Sequence, residues 1–224
     1  EGLSDDYRVA AYDLRARTER AYEPYDLDDL VEDCRAVIDA LDMDQPVVAG
    51  MSMGGFMAVR LAIEYPEAIS GIVLIDSTSR PHPDEDIELY RGMIDQIEDA
   101  PQVPETMAET VTHFLFGETT REENSELVEA WMDRWETYPG EAVYREVDSW
   151  LERPDVTDEL AGCDVPALVV HGEEDASIDL ERVEPTVEAL DADLSVIPEA
   201  GHSSNTEQPA AVNDAIRGFL QKVY

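Results

Sequence analysis

A hydroxyl, a carboxyl and an imidazole each stand just past a strand-like run in this chain, and those three groups together can transfer an acyl group to water. Ser52 lies in Gly50-Met51-Ser52-Met53-Gly54, between the short apolar run 45–49 and a helical pattern from Gly54 to Ala62. A serine on so sharp a strand-to-helix turn has its hydroxyl exposed at the end of a sheet. Asp175 closes His171-Gly172-Glu173-Glu174-Asp175 after the run Pro166 to Val170, and His202 closes Pro198-Glu199-Ala200-Gly201-His202 after Leu194 to Ile197. A serine is a weak nucleophile until a base removes its proton, and neutral His202 is the histidine placed by motif to do so. Asp175 would orient the imidazole, fix its tautomer and stabilise the imidazolium. The backbone N–H of Met53, at the start of the helix, would donate to an oxyanion and gain from the helix dipole.

The chain order Ser52, Asp175, His202 matches that of α/β-hydrolases and neither of the two common protease orders. From Tyr7 to Phe219 the chain resembles that family, from the fourth strand of its sheet onward. VVAGMSMGGFMAVRLAIEYPEAISGIVLIDSTS and VPALVVHGEEDASIDLERV, followed by IPEAGHSSNTEQPAAVNDAIRGFL, look most like its small esterase, enol-lactonase and cofactor-free haloperoxidase-like branch. The resemblance implies an α/β-hydrolase fold, with a mostly parallel sheet flanked by helices and a helical cap insertion. It implies a serine hydrolase acting on a small-molecule carboxylic ester or lactone through an acyl-serine intermediate, with no cofactor and no metal. Serine at the elbow sets the chain apart from haloalkane dehalogenase and epoxide hydrolase relatives, which place Asp there. Asp76 occupies an alternative acid position that some members of the family use, and Glu173 and Glu174 are close in sequence, but His171-Gly172-x-x-Asp175 matches the commoner pattern.

The chain also departs from the family. The first three strands are expected to be absent, and with them the loop, usually marked by His-Gly, that supplies a second oxyanion N–H. Losing one such donor typically lowers turnover by a factor of about 10² to 10³. The alternative reading is therefore a catalytically crippled fragment or a hydrolase-like binding protein. In the family the third strand lies between the fourth and fifth, so either Tyr7 to Leu14 moves beside Val47 to Ala49 or the chain is a fragment; a start at Glu1 rather than Met favours the fragment. Where relatives carry Asp-x-Arg-Gly-x-Gly-x-Ser, this chain has Asp13-Leu14-Arg15-Ala16-Arg17-Thr18-Glu19-Arg20.

The elements that must position these residues follow from pattern. Tyr7 to Leu14 reads as a strand, and Asp26 as the N-cap of an amphipathic helix to about Leu41. Strand Val47 to Ala49, the helix after Ser52 stopped by Pro66, and strand Gly71 to Ile75 continue a βαβ rhythm that implies a parallel sheet. From about Ser77 the rhythm breaks into four helical stretches, Asp84 to Asp99, Glu105 to Phe116, Glu122 to Tyr138 and Glu141 to Leu151, separated by prolines and a glycine. Sheet logic resumes at Val165 and ends in a helix from about Pro209 with the stripe Val212, Ile216, Phe219 and Leu220. Residues 1–76 and 163–224 are thus expected to form the core, and 77–162 the cap. Met107, Phe114, Phe116, Trp131, Trp135 and Trp150 are candidates for the cap's face of the acyl pocket.

Composition narrows the partners. The 224 residues fit one domain, and 53 Asp and Glu against 15 Lys and Arg give a net charge of −38, which argues against nucleic acid or an anionic membrane as partner. Cys34 lies on the stripe Leu27, Leu30, Val31, Cys34, Val37, Ile38 and Leu41, as a small core hydrophobe. Cys163 has no second metal ligand nearby. His171 reads as structural; His82, between Pro81 and Pro83, and His113 lack metal-ligand neighbours. No signal peptide or long apolar run is present, so a cytoplasmic protein is expected, with its oligomeric state open. The acidic charges alternate with apolar patterning along the chain, which suits a folded surface in a halophile's cytosol. Self-repulsion on this scale is relieved when the Debye length shrinks to about 3 Å near 1 M salt. The melting temperature is expected to rise between dilute buffer and molar KCl; a calorimetric scan with no rise removes the halophilic reading.

Overall fold

A computed structural model describes residues 2–224; Glu1, the first residue of the expected core, lies outside the described residues. Four strands, β1 (Val47–Met51), β2 (Gly71–Ile75), β3 (Ala167–Gly172) and β4 (Asp193–Ile197), form one parallel sheet in the order β1-β2-β3-β4. The central pair reads as unbroken apolar runs because both faces are covered: every residue of β2 and β3 is buried, as parallel strands under helices require. β1 and β4 lie at the ends of the sheet and are partly exposed.

Helix α1 (Leu27–Ala40) begins where expected, and its first turn is closed by a reciprocal pair: Asp26 accepts from the Asp29 N–H at 3.0 Å, while the Asp29 carboxylate accepts from the Asp26 N–H at 3.2 Å. Such a cap stabilises by about 1 kcal/mol, whereas each fully buried Leu, Ile or Val contributes roughly 1.5–3 kcal/mol. The apolar stripe therefore decides where the helix docks. Leu30 and Val31 of α1 join Phe56 and Leu61 of α2 (Met53–Glu64) against Ile72, Leu74 and Val169 on one face of the sheet. Cys34 is buried in the same cluster. On the other face Val73, Ile75, Leu168 and Val170 meet Val212, Ile216, Phe219 and Leu220 of α11 (Pro209–Val223).

Between β2 and β3 run α3 (Asp84–Ile94), α4 (Glu105–Leu115), α5 (Glu118–Glu123), α6 (Ser125–Trp135), α7 (Gly140–Leu151) and the short α8 (Thr157–Leu160). α9 (Leu180–Leu190) links β3 to β4, and α10 (Ser204–Glu207) precedes α11. The stretch expected as one helix, Glu122 to Tyr138, is two. Asn124 leaves helical geometry at φ −135°, ψ 56°, ending α5 with its N–H on the Thr120 carbonyl and opening α6.

The expected strand Tyr7 to Leu14 does not form. Among the described residues no strand precedes Val47, and residues 8–14 run irregularly and mostly exposed. A strand needs a ladder partner for its N–H and C=O groups, and residues 8–14 have none. Ala10 and Ala11 instead line a cavity that Val48 and Ala49 of β1 also line. The segment is tethered by Arg8, whose guanidinium donates to the Leu41 and Asp42 carbonyls after α1 at 2.6 and 3.3 Å.

Candidate active site

Ser52 joins β1 to α2 with φ 48° and ψ −113°, a left-handed conformation that costs a non-glycine residue about 1–3 kcal/mol and persists only where neighbours hold it. They do so here. The Ser52 N–H donates to the Ile75 carbonyl at 2.9 Å, and the Ser52 carbonyl accepts from the Ser77 hydroxyl at 2.9 Å and from the Gly55 and Phe56 N–H groups at 2.8 and 3.1 Å. Two glycines provide the clearance: a Cβ on Gly50 would lie 2.1 Å from the Gly54 carbonyl oxygen, and one on Gly55 2.3 Å from Ser77 Oγ. Met53, the first residue of α2, has a backbone N–H with no acceptor inside its own helix.

The loops after β3 and β4 bring the other two residues to this turn. His202 Nε2 lies 2.9 Å from Ser52 Oγ, and His202 Nδ1 lies 2.8 Å from Asp175 Oδ2. An ionised carboxylate only accepts, so Nδ1 carries the proton and Nε2 is left as the acceptor for the serine hydroxyl. The other Asp175 oxygen accepts from the Ser177 and Ile178 N–H groups at 2.8 and 2.9 Å, which fixes the carboxylate plane. Burial opposes charge on His202 most strongly, but the Coulomb pull and hydrogen bond of Asp175, with Asp76 and Glu207 further off, outweigh it and hold its pKa above the ordinary value.

Asp76 does not bond His202. It is fully buried behind Asp175, where one oxygen accepts from the Gly172 N–H at 2.9 Å and the other from the Ser204 N–H and hydroxyl at 3.0 and 2.7 Å. Burial pushes its pKa up to about 7, against the pull of His202 and those donors. His171 donates from Nε2 to the Ile178 carbonyl at 2.7 Å, and burial holds its pKa low, so it braces the Asp175 loop as a neutral ring. Ligand atoms of Asp76, His171 and Asp175 lie within 4.8 Å of one another, but the three donors on Asp76 commit both its oxygens to the protein.

Two glutamates hold the loops: Glu207, which sequence patterning does not single out, and Glu174, which it offers only as a competing acid. Glu207 accepts from the N–H groups of Gly201 and Ser203, on either side of His202, at 2.9 and 3.2 Å, and from Gly117 N–H at 2.9 Å. Glu174, one residue before Asp175, accepts from the Thr119 N–H at 2.8 Å and the Thr119 hydroxyl at 2.5 Å. Each ties a site loop to the start of α5. Their only sequence signal was proximity to Asp175 and His202.

A cavity of about 690 Å³ opens at Ser52 and His202 and is otherwise mainly apolar. Met107, Phe114, Trp131, Trp135 and Trp150 line it as expected; Phe116 instead is buried. The cavity therefore lies between the carboxyl ends of the parallel strands and helices α3, α4, α6 and α7, where open α/β sheets bind ligands.

The profile of the Alpha/beta hydrolase family matches residues 1–215. A 3-oxoadipate enol-lactonase of Acinetobacter baylyi is 26% identical over 222 residues, which span 98% of this chain and 81% of the enzyme. An esterase from Thermogutta terrifontis, solved with malate bound, superposes with a TM-score of 0.89 at 30% identity, over 99% of this chain and 82% of that one. An enol-lactonase from Burkholderia xenovorans shares the fold at a TM-score of 0.85 and 23% identity, over 98% and 83% of the two chains. The chain belongs to the Alpha/beta hydrolase family.

The charge arrangement around His202 gives a direct measurement. In an NMR titration His202 is expected to protonate above 6.5, its unperturbed value, and Asp175→Asn to lower that midpoint by about one unit or more. Because the folded-state pKa is the higher one, the associated stability is complete below 6.5 and is lost as pH rises through the folded value. A His202 midpoint at or below 6.5 contradicts this account.

Proposed function

We propose that this protein is a serine hydrolase that cleaves a small carboxylic ester or lactone through an acyl-serine intermediate. The observation that carries the reading is the unbroken hydrogen-bonded chain from Asp175 through His202 to Ser52 at 2.8 and 2.9 Å. In this reading Ser52, His202 and Asp175 are the catalytic residues. His202 Nε2 takes the Ser52 proton as Oγ adds to the scissile carbonyl, and the charge that forms on the imidazole is met by Asp175. The same proton then passes to the leaving oxygen as the tetrahedral intermediate collapses. Water repeats the sequence on the acyl-serine, with His202 again the base.

The Met53 N–H serves as an oxyanion donor at the positive end of α2. Helices α3 to α7, within 77–162, act as the cap that shapes the acyl site over the core formed by 1–76 and 163–224. The mainly apolar cavity and the ester- and lactone-cleaving relatives support a small organic substrate. The acidic surface extends the proposal to the setting, a cell interior rich in salt.

A second reading, a hydrolase-like binding protein, draws on one observation: no described residue before Val47 forms a strand, and the family's second oxyanion donor follows such a strand. A fluorophosphonate probe in molar KCl separates the two. Labelling of the native chain that Ser52→Ala abolishes, with turnover lowered by about 10³ or more in Ser52→Ala and His202→Ala, is the expected result. A folded chain that takes no label overturns it in favour of the binding protein.

A further inference from the structure

His82 lies in the loop between β2 and α3 and lines the same cavity as Ser52 and His202, at 5% exposure. Its Nδ1 is 2.9 Å from Arg182 Nη2. A guanidinium has donors and no acceptor, so Nδ1 must accept and cannot carry a proton. The ring proton therefore sits on Nε2. Burial, with Arg153, Arg182 and His202 nearby, pushes the His82 pKa down to about 3, so the ring stays neutral near neutral pH and is a weak base. Phe56, Tyr90 and Trp150 surround it with centroids 6.5, 5.2 and 5.4 Å away. Among the described residues none accepts a hydrogen bond from Nε2.

Behind this donor stand two guanidiniums, Arg182 and Arg153, and one carboxylate, Asp86, whose Oδ2 lies 3.7 Å from His82 Nδ1, too long for a hydrogen bond. Arg182 is partly balanced by Asp86 at 3.3 Å, but Arg153 is buried, donates only to the Arg80 and Trp150 carbonyls at 2.7 and 3.3 Å, and sits 3.6 Å over the Phe56 ring. No described carboxylate lies within ion-pairing distance of it. In a chain of net charge −38, a buried guanidinium left unpaired is out of keeping with the rest of the surface chemistry, since such a charge is costly without a partner. Its field, with that of Arg182, favours electron-rich oxygen at the His82 edge.

We infer that His82 is a specificity-determining donor: its Nε2–H binds an oxygen acceptor, a carbonyl or carboxylate, carried by the substrate away from the scissile ester carbonyl. The inference rests on the hydrolase reading for what occupies the cavity. A plain alkyl chain offers no acceptor and, once it displaces water from the cavity, leaves this donor without a partner, whereas an oxygenated chain satisfies it, which is how a polar site discriminates.

Three p-nitrophenyl esters of equal chain length test this in molar KCl: pentanoate, 4-oxopentanoate and the glutarate half-ester. In the native enzyme one or both oxygenated esters are preferred, and the two arms tell carbonyl from carboxylate recognition. His82→Phe is expected to lower the kcat/KM preference for the oxygenated ester about tenfold, mainly through KM, while His82→Gln, which keeps an N–H donor, retains most of it. An unchanged preference, or an equal fall for all three esters, overturns the assignment.

A second measurement needs neither a His82 variant nor turnover. Long-range proton–nitrogen spectra of the four histidines in Ser52→Ala protein should show His82 as the neutral Nε2–H tautomer at about pH 6, with an Nε2 shift on adding glutarate or 4-oxopentanoate. A charged or Nδ1–H ring, or no response to either ligand, overturns it. Failure of the hydrolase reading would show separately, as absent fluorophosphonate labelling.

Discussion

The left-handed backbone of Ser52 is the constraint from which the rest of the site follows. At φ 48° the chain turns from strand to helix at one residue, whose side chain reaches His202 and whose carbonyl takes the Gly55 and Phe56 N–H groups of α2. Nothing in serine itself favours this. The conformation is held because β1 is registered on β2, which places the Ile75 carbonyl under the Ser52 N–H, and because Ser77 closes on the Ser52 carbonyl. Without a side chain at Gly50 and Gly55 the turn can pack against Gly54 and Ser77. The strained residue is thus stabilised by the most deeply buried part of the sheet.

Charge is handled in opposite ways inside and out. The surface carries many more carboxylates than cations, which solvent and salt must screen. Inside, Asp175 and Asp76 are both nearly or fully buried, and a buried carboxylate is tolerable only with donors on its oxygens. Asp175 meets two backbone N–H groups and His202; Asp76 meets one N–H and both donors of Ser204. The pairing assigns each carboxylate a place: one is spent on the imidazole, the other on joining the ends of β3 and α10. Both carboxylates, when ionised, favour the protonated imidazole and so raise the basicity of His202.

Glu174 and Glu207 show how the insertion and the core loops are bound to each other. Both reach Gly117 or Thr119 at the start of α5, and Glu207 also spans His202 from Gly201 to Ser203. A shift of α5 would therefore be felt at the Asp175 and His202 loops through three charge-assisted hydrogen bonds, each stronger than a neutral one. The walls of the cavity and the Ser52, His202 and Asp175 side chains are mechanically one assembly.

By itself the sequence determined what depends on neighbours along the chain. The continuous apolar run Gly71 to Ile75 became β2 with the same bounds, Asp26 became the cap of α1, and Pro66 ended the helix after Ser52, because burial period, capping and proline sterics are local. The order and spacing of Ser52, Asp175 and His202 past three strand-like runs already placed them at one end of a parallel sheet. Only the tertiary structure decided the rest. Tyr7 to Leu14 had the pattern of a strand and no ladder partner; the helix through Asn124 had the periodicity and broke at its cap. The contact of Asp175 rather than Asp76 with His202, the Arg182 hydrogen bond that fixes the His82 tautomer, and the span of Glu207 are pairings between donors and acceptors distant in sequence. Such pairings leave no periodic trace along a chain, because they exist only once the sheet has set the distances between loops.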